Sequence, residues 1–307
     1  ILHRLRDAFR QTASAAGIRE KTIDPESAGI AIALAYPDRI ARSRSPRSGD
    51  YALSNGTGAK LRETDPLCSS EFLALASVEG EGNRQIIFSA APIAFSDIQE
   101  FLPELISEDF YVHWNADRKA VEAERRVLIG SLVADARPAL NKVPQEKILA
   151  ALLDGIRTEG ISVLPFEKAT QALRERVEFV RRHQPDMWPD FSDSGVLNSL
   201  EEWLAPFASG ATGLAQIRKI DLHTALSSLL THRQKMELAR LAPERIEVPS
   251  GSMIRVDYSS PDGVPFMEVR LQEMFGMLDT PRVVDGRVPV TIRMLSPAMR
   301  PVQTTSD

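Results

Sequence analysis

The residues best suited to bind a ligand lie between positions 39 and 62, where basic side chains alternate with serines and glycines. Guanidinium forks and hydroxyl groups match the oxygen atoms of phosphates, and glycines leave backbone amides accessible. An aromatic ring among them, that of Tyr51, is predicted to stack on a base. The segment therefore predicts a surface for a single nucleic-acid strand, formed by Arg39, Arg42, Arg44, Arg47, Tyr51, Ser54, Asn55, Gly56, Gly58, Lys60 and Arg62.

Two simpler interpretations of this segment stay open. The run Arg42-Ser-Arg-Ser-Pro-Arg-Ser48 has the composition of a solvated loop, and the glycines of Gly56-Thr-Gly58 are equally typical of an ordinary turn.

The distribution of charge along the chain favours a local binding surface for nucleic acid over a general one. The chain has a formal net charge of −5, yet residues 1–62 carry 11 Lys and Arg against 6 Asp and Glu. A basic front and an acidic remainder indicate that any contact with a polyanion is confined to the front.

Motifs for nucleotide hydrolysis and metal binding do not appear in the sequence. The nearest approach to a phosphate-binding P-loop, Gly56-Thr-Gly-Ala-Lys-Leu61, lacks the Gly-Lys pair and the hydroxyl that would hold magnesium. There is no Asp-Glu-x-His box, the five histidines include no i, i+4 pair, and the single cysteine, Cys68, cannot build a thiolate site. We therefore predict no catalytic residue, no metal site and no cofactor in this chain.

The hydrophobic pattern predicts the helices and strands that would position the basic segment. A helical period covers residues 1–23, and a second helix begins at Asp24-Pro25-Glu26 and ends before Pro37. Short extended runs follow. They are predicted as strands at 39–43, 50–53, 71–78, 85–90, 111–114 and 121–132, with a helix or turn at 96–105. About five strands with one inserted helix are typical of an oligonucleotide-binding barrel.

The remainder of the chain changes pattern twice. Helical spacing predicts four helices: one ending at Gly160, one from Phe166 to Val180, one capped by Ser192, and one over Leu222–Leu241. Alternation and turn residues then predict a small β-rich unit after Pro243. The expected fold class is α+β. The expected divisions are the tail of a helical domain (1–37), an OB-like barrel (38–140), a helical module (141–243) and a β-rich C-terminal unit (244–307).

Several longer strings resemble the HrpB family of bacterial DEAH-type ATP-dependent helicases. Near the front these are Leu34-Ala-Tyr-Pro-Asp-Arg-Ile-Ala41, Tyr51-Ala-Leu-Ser-Asn-Gly-Thr-Gly-Ala-Lys-Leu61 and Asp65-Pro-Leu67. Further along they are Trp188-Pro-Asp-Phe-Ser-Asp193, Leu200-Glu-Glu-Trp-Leu-Ala-Pro206, Val248-Pro-Ser-Gly-Ser252, Val269-Arg-Leu-Gln-Glu-Met-Phe-Gly276, Gly286-Arg-Val-Pro289 and Leu295-Ser-Pro-Ala-Met-Arg-Pro-Val-Gln303. Their common order over most of residues 30–303 makes the resemblance specific.

The resemblance implies that this chain corresponds to the last ratchet-domain helices, the barrel and the C-terminal region of such a helicase. It implies two motor domains upstream as partners in cis, and ATP and magnesium as the cofactors of the parent enzyme, which acts on RNA. The resemblance also implies that nucleic acid contacts Arg39, Ser54, Asn55, Gly56, Gly58 and Lys60. Whether this piece is itself an enzyme stays open, because the motor motifs are missing from it.

Partners and location follow from the same observations. The expected partner is single-stranded RNA or DNA, and one cysteine fits a reducing cytoplasm. No apolar run reaches the roughly 20 residues that span a bilayer, and the first residues lack the order of a signal peptide, so no membrane association is expected. The alternative function, from a different class, is a protein-interaction or regulatory module without nucleic-acid affinity, whose protein partner would bind through residues 141–307.

Overall fold

The computed structural model describes residues 27–82, 85–260 and 262–295, and the backbone of Pro301–Thr305. These residues form two compact units. The first comprises the described residues up to Tyr111 together with Ala123–Ala139, and the second comprises Val112–Glu122 together with the described residues from Leu140 onward. The predicted helix at 1–23 lies outside the described residues. The four domains proposed from the sequence remain a prediction.

The first unit contains a closed five-stranded barrel, which confirms the barrel and the α+β fold class predicted from the sequence. The strand order is β1-β2-β3-β5-β4, with antiparallel pairs except for the parallel pair β3–β5. The strands are β1 (Ile40–Ser43), β2 (Asp50–Leu53), β3 (Gly58–Lys60), β4 (Phe72–Glu79) and β5 (Gln85–Pro92). Flanking helices are α1 (Ala28–Ala35), which ends before Pro37 as predicted, and α2 (Phe95–Phe101).

Alternation along the strands divides the barrel residues between an inner core and an outer layer. Inside the barrel, Ala41, Leu53 and Leu73 belong to one buried cluster. On the outer side, the neighbouring residues Ile40 and Phe72 belong to a second buried cluster that includes residues of α1 and α2. Successive side chains of a strand point to opposite faces, so nearly continuous apolar runs are needed where both faces are covered.

The structure corrects two strand predictions in the first half of the chain. The barrel includes β3, a strand of three residues that the sequence reading treated as loop. The expected strands at 111–114 and 121–132 are not part of the barrel. They fall in a separate three-stranded sheet of order β6-β7-β8, comprising β6 (Ile106–Asn115), β7 (Ala120–Ile129) and β8 (Leu132–Pro138). The run 121–132 is interrupted because Gly130 adopts a φ of 58°, a turn conformation that glycine tolerates.

Helices predominate in the second unit between Leu140 and Leu241. Two predicted helices appear near their expected positions, and Gly160 ends the first of them at a φ of 87°. Ser192 caps the third as predicted, its hydroxyl accepting from the amide of Gly195. The expected helix over Leu222–Leu241 is instead two helices, because Asp221 and Thr231 each start one. The helices are α3 (Gln145–Glu159), α4 (Lys168–His183), α5 (Asp193–Asn198), α6 (Leu200–Trp203), α7 (Leu214–Ile217), α8 (Leu222–Ser227) and α9 (His232–Leu241).

The second unit ends in small sheets, as the turn-rich pattern predicted. A five-stranded sheet has the order β15-β14-β11-β10-β9, in which β11 and β14 run parallel. Its strands are β9 (Arg245–Glu247), β10 (Met253–Asp257), β11 (Phe266–Arg270), β14 (Thr291–Leu295) and β15 (Pro301–Thr305). A separate hairpin is formed by β12 (Arg282–Val283) and β13 (Val288–Pro289). Within the described residues, no helix has the length and apolarity to cross a membrane.

Gly155 generates a stability prediction, because the ring of Trp114 occupies the space where a Cβ would stand. A methyl group there would lie 2.2 Å from Cδ2 of Trp114. In an open helix Ala is favoured over Gly by about 1 kcal/mol, but overpacking costs about 1–3 kcal/mol. Gly155→Ala is therefore expected to lower the free energy of unfolding, measured by urea denaturation of the whole chain. In a Trp114→Ala background the same change is expected to raise it, and equal effects in both backgrounds would contradict the packing.

Candidate nucleic-acid interface

A groove of about 750 Å³ opens on the first unit beside the basic segment. One wall is the chain that leaves β1, a second is the turn between β2 and β3, and the remainder comes from the segment before β4 and from the β7–β8 turn. All of these segments belong to the first unit. The lining residues are Arg42–Pro46, Ala52, Leu53, Gly56, Thr57, Cys68–Glu71 and Ser131–Val133.

Three hydrogen bonds hold Arg42 at the edge of the groove. Its Nη1 donates to the carbonyl oxygen of Val133 at 2.8 Å, and its Nη2 and Nε donate to Oε1 of Glu71 at 2.9 and 3.2 Å. Its guanidinium carbon lies 5.6 Å from the ring centroid of Phe72. The side chain is 33% exposed. All three guanidinium nitrogens are thus engaged, while part of the group still faces solvent.

Arg44 differs from Arg42 although it lies only two residues away. Its backbone amide donates to the carbonyl of Asp50 at 2.8 Å, which fixes the main chain beyond β1. The side chain is exposed and has no ion pair with any residue that the structure describes. Arg44 is therefore a charge that is free to bind an anion.

The loop after Arg44 is folded by its own serines. The hydroxyls of Ser43 and Ser48 both donate to the carbonyl of Ser45, at 2.7 and 3.0 Å. Gly49, at a φ of 71°, approaches the carbonyl oxygen of Leu61 so closely that a Cβ would stand 2.5 Å from it. Hydroxyl–backbone bonds of this kind are the usual way in which serine stabilises turns. The loop thus has a defined conformation in this structure.

The turn between β2 and β3 is fixed by the β7–β8 turn. Ser131 donates its amide to the carbonyl of Ser54 at 2.8 Å, and Gly130 packs so closely that a Cβ would stand 2.5 Å from that oxygen. The hydroxyl of Ser54 donates to the carbonyl of Pro37 at 2.9 Å. Gly56, exposed and at a φ of 86°, completes the turn on the groove.

Tyr51 does not lie on the groove, and the predicted base-stacking role is wrong. Its side chain is 1% exposed in the inner core of the barrel. The phenolic oxygen donates to the carbonyls of Leu67 and Ser70, at 2.9 and 3.0 Å. Burial raises the pKa of Tyr51 to about 12. Tyr51 and Leu53 alternate with Asp50 and Ala52 along β2, and closure of the barrel makes their shared face the inner one.

The remaining predicted residues are not part of the groove lining, except Gly56. Ser54 and Gly58 are buried. Asn55 accepts from the amide and hydroxyl of Thr57. Lys60 pairs with Asp50 at 3.4 Å, and the guanidinium carbon of Arg39 lies 4.6 Å from the ring centroid of Tyr36. Of the predicted set, the groove lining contains Arg42, Arg44 and Gly56, and does not contain Arg39, Arg47, Tyr51, Ser54, Asn55, Gly58, Lys60 or Arg62.

The register places Arg42 and Lys60 on the same outer face of the barrel. Each alternates with an inward-facing alanine, Ala41 and Ala59 respectively. Strand β2 lies between them, with Ala52 opposite Arg42 and Asp50 opposite Lys60. Arg42 and Lys60 therefore both lie outside the inner core of the barrel, separated by β2.

Sequence reasoning missed the groove residues that lie outside the basic segment, among them Glu71, Ser131 and Val133. Glu71 is an ordinary polar residue before a strand, and its pairing with Arg42 joins positions 29 residues apart. Val133 contributes only its carbonyl, which any residue type would supply. The Gly130-Ser131 turn was the one available signal, because a glycine inside an apolar run often marks a turn or a close backbone approach.

The comparisons with known proteins agree with this architecture. Residues 203–307 match a family model described as "HrpB_C: ATP-dependent helicase C-terminal". The "ATP-dependent RNA helicase HrpB" of Escherichia coli (strain K12) is 35% identical over 279 residues, which is 90% of this chain and 34% of that protein. The chain thus spans about a third of the length of this relative.

Two solved structures give the same result. One is described as the E. coli DExH-box NTPase HrpB (TM-score 0.55, 32% identity), the other as the Escherichia coli DEAH/RHA helicase HrpB (TM-score 0.53, 30% identity). Each match covers 97% of this chain and 37% of the solved chain. Fold and sequence together define a barrel-bearing C-terminal region of an ATP-dependent helicase. Within that class the chain belongs to the HrpB family, which confirms the resemblance that the motifs indicated.

Tyr51 generates a prediction for both neutral and alkaline pH. Tyr51→Phe removes a donor to two backbone carbonyls, so the free energy of unfolding at neutral pH is expected to fall by about 1 kcal/mol. The folded pKa, about 12, lies above the ordinary value of 10.0, so the hydroxyl stabilises the fold fully below pH 10 and loses that effect as the pH approaches 12. The variant is therefore expected to lose less stability over this range.

Urea denaturation at neutral pH and between pH 10 and 12 measures both effects. Tyr36→Phe is the matched control, since the Tyr36 side chain is exposed. An equal alkaline loss in the Tyr51→Phe variant and the unsubstituted chain would rule out the buried hydroxyl as its source.

Proposed function

We propose that this chain is the nucleic-acid-binding accessory region of an ATP-dependent RNA helicase, and that single-stranded RNA binds in the groove. The observation that carries the proposal is the unpaired, exposed Arg44 at a groove whose walls are rich in hydroxyl groups. The name of the E. coli relative, an ATP-dependent RNA helicase, supports RNA as the ligand. Single-stranded DNA, which shares the phosphate backbone, is expected to bind through the same charges.

The side chains that line the groove favour a nucleic acid bound through its sugar-phosphate backbone. Hydroxyl side chains stand on every wall. Those of Ser43, Thr57 and Ser69 already donate within the protein and can accept from a ribose 2′-hydroxyl, whereas those of Ser45, Ser70 and Ser131 can donate to phosphate oxygens. No aromatic ring belongs to the described lining, so binding through phosphates is expected to dominate and to weaken with salt. The hydroxyl-bearing residues are Ser43, Ser45, Thr57, Ser69, Ser70 and Ser131.

Within the parent helicase, this region would hold the strand while other domains use ATP. Hydrolysis of ATP with magnesium, and unwinding, are proposals for the parent protein, since the chain spans only about a third of its relative. The sequence of this chain carries neither a P-loop nor an Asp-Glu-x-His box. Its contribution would be affinity for the strand and its placement.

Charge reversal at Arg44 tests the groove. For Arg44→Glu, the dissociation constant for a short labelled single-stranded RNA is expected to rise roughly tenfold at low salt, by loss of a phosphate contact and repulsion. The plot of log affinity against log salt concentration has a negative slope, and the magnitude of this slope is expected to decrease by about 1. Fluorescence anisotropy at several salt concentrations measures both quantities.

Arg218→Glu is the matched control for this titration. Arg218 is exposed, carries the same charge and belongs to the second unit. It is expected to leave the affinity nearly unchanged. Equal weakening by both variants would indicate a general charge effect, and unchanged binding by Arg44→Glu would remove the groove as the binding surface.

A second function, protein docking through the C-terminal part, is favoured by a separate observation. After β11 the chain exposes three apolar side chains: Leu271 at 47%, Phe275 at 71% and Leu278 at 95%. Clustered exposed apolar residues frequently mark protein contacts. We propose that this segment binds a separate protein partner through apolar contacts.

The docking proposal predicts a loss of association without a loss of RNA affinity. Phe275→Ser together with Leu278→Ser is expected to abolish retention of the partner on the tagged full chain, while RNA affinity in the anisotropy assay stays the same. Retention of the same proteins by variant and unsubstituted chain would contradict it.

A further inference from the structure

We propose that Arg42 binds a base rather than a phosphate, with its guanidinium serving as a planar stacking surface and Glu71 as the positioning residue. This inference rests on the proposed function, because it assigns a part of the single strand to one residue of the same groove. It also supplies the stacking contact that the burial of Tyr51 removes from the predicted surface.

The bonds of Arg42 argue against a phosphate contact. Its positive charge is already paired with the carboxylate of Glu71, and its third nitrogen is bonded to the carbonyl of Val133. A phosphate could reach only the two N–H groups that remain, one on each Nη, and it would approach the negative charge of Glu71, which lies 2.9 Å from Nη2 of Arg42. Arg44 has no paired carboxylate beside it among the residues that the structure describes. Phosphates are therefore expected to select Arg44 over Arg42.

The same bonds leave the faces of the guanidinium available. Hydrogen bonds to a guanidinium lie in its plane and use its edges, so they fix the plane without covering it. The guanidinium carbon lies 5.6 Å from the ring centroid of Phe72, a partly stacked position on one side. Arg42 nonetheless lines the groove and is 33% exposed, so we assign the opposite face to the ligand.

A fixed guanidinium plane is a suitable partner for an unpaired base. Bases in single strands stack on aromatic side chains and on the planes of arginines. Immobilisation of the side chain before binding reduces the entropy that binding would otherwise cost. Glu71 supplies this immobilisation, because both of its hydrogen bonds to Arg42 converge on Oε1.

The test compares a single-stranded RNA with an abasic strand of equal length, using the full chain. Arg42→Lys keeps the positive charge and removes the plane. It is expected to weaken binding of the base-bearing strand roughly tenfold and to leave the abasic strand and the salt slope unchanged. Arg44→Gln, the comparison variant, is expected to weaken both strands equally and to lower the salt slope by about 1.

A second variant keeps the test decisive if Arg42→Lys disturbs the fold. Glu71→Ala releases Arg42, which then becomes a phosphate ligand. The preference for the base-bearing strand is expected to shrink, while affinity for the abasic strand and the salt slope both increase. A gain of affinity cannot arise from unfolding.

The outcomes separate this inference from the proposed function. Equal losses on both strands for Arg42→Lys, or a reduced salt slope, would show that Arg42 contacts a phosphate and would overturn the assignment alone. Failure of the unsubstituted chain to bind either strand would overturn the proposed function, and this inference with it.

Discussion

The arrangement of the groove depends on one charged contact, the guanidinium of Arg42 between the carboxylate of Glu71 and the carbonyl of Val133. Arg42 lies on β1, Glu71 directly precedes β4, and Val133 lies on β8. The contact therefore joins two strands of the barrel to a strand of the neighbouring three-stranded sheet. Because one acceptor is a charged group and the other a backbone oxygen, the contact fixes both the distance between these segments and the orientation of the guanidinium.

The second unit uses the same device at buried positions. Arg174 donates to the carbonyl of Phe191 and to the carboxylate of Asp193, and Arg176 donates to the carbonyl of Ala242 and to Glu244. Arg157 likewise donates to the carbonyl of Leu197 and pairs with Glu201. Burial lowers the pKa of Arg176, and the nearby Glu244 opposes this effect. Five donors in one planar group allow arginine to join a carbonyl and a carboxylate at once.

Because several arginines are already paired with a carbonyl and a carboxylate, the number of arginines in the sequence overestimates the positive charge that is free on the surface. The strand alternation, the helix ends at Pro37 and Gly160 and the cap at Ser192 follow from local rules, and the structure contains each of them. The partners of an arginine follow from contacts between distant residues, such as the 29 positions that separate Arg42 from Glu71. Local pattern placed Arg42 and Arg44 together, but it could not show that one is paired and the other free.

Tyr51 and the parallel pair β3–β5 show the same limit for the fold. Two residues of β3, Ala59 and Lys60, pair with β5, and this contact closes the barrel, so the inner face of β2 is sealed from solvent and Tyr51 with it. A strand of three residues has too little pattern to be recognised in a sequence, yet its closure decides which aromatic ring is buried. Once Tyr51 is inside, a contact with a base in this groove has to come from a planar group that is not aromatic. Among the described lining residues, the only guanidinium groups are those of Arg42 and Arg44, and only that of Arg42 is held in a fixed plane.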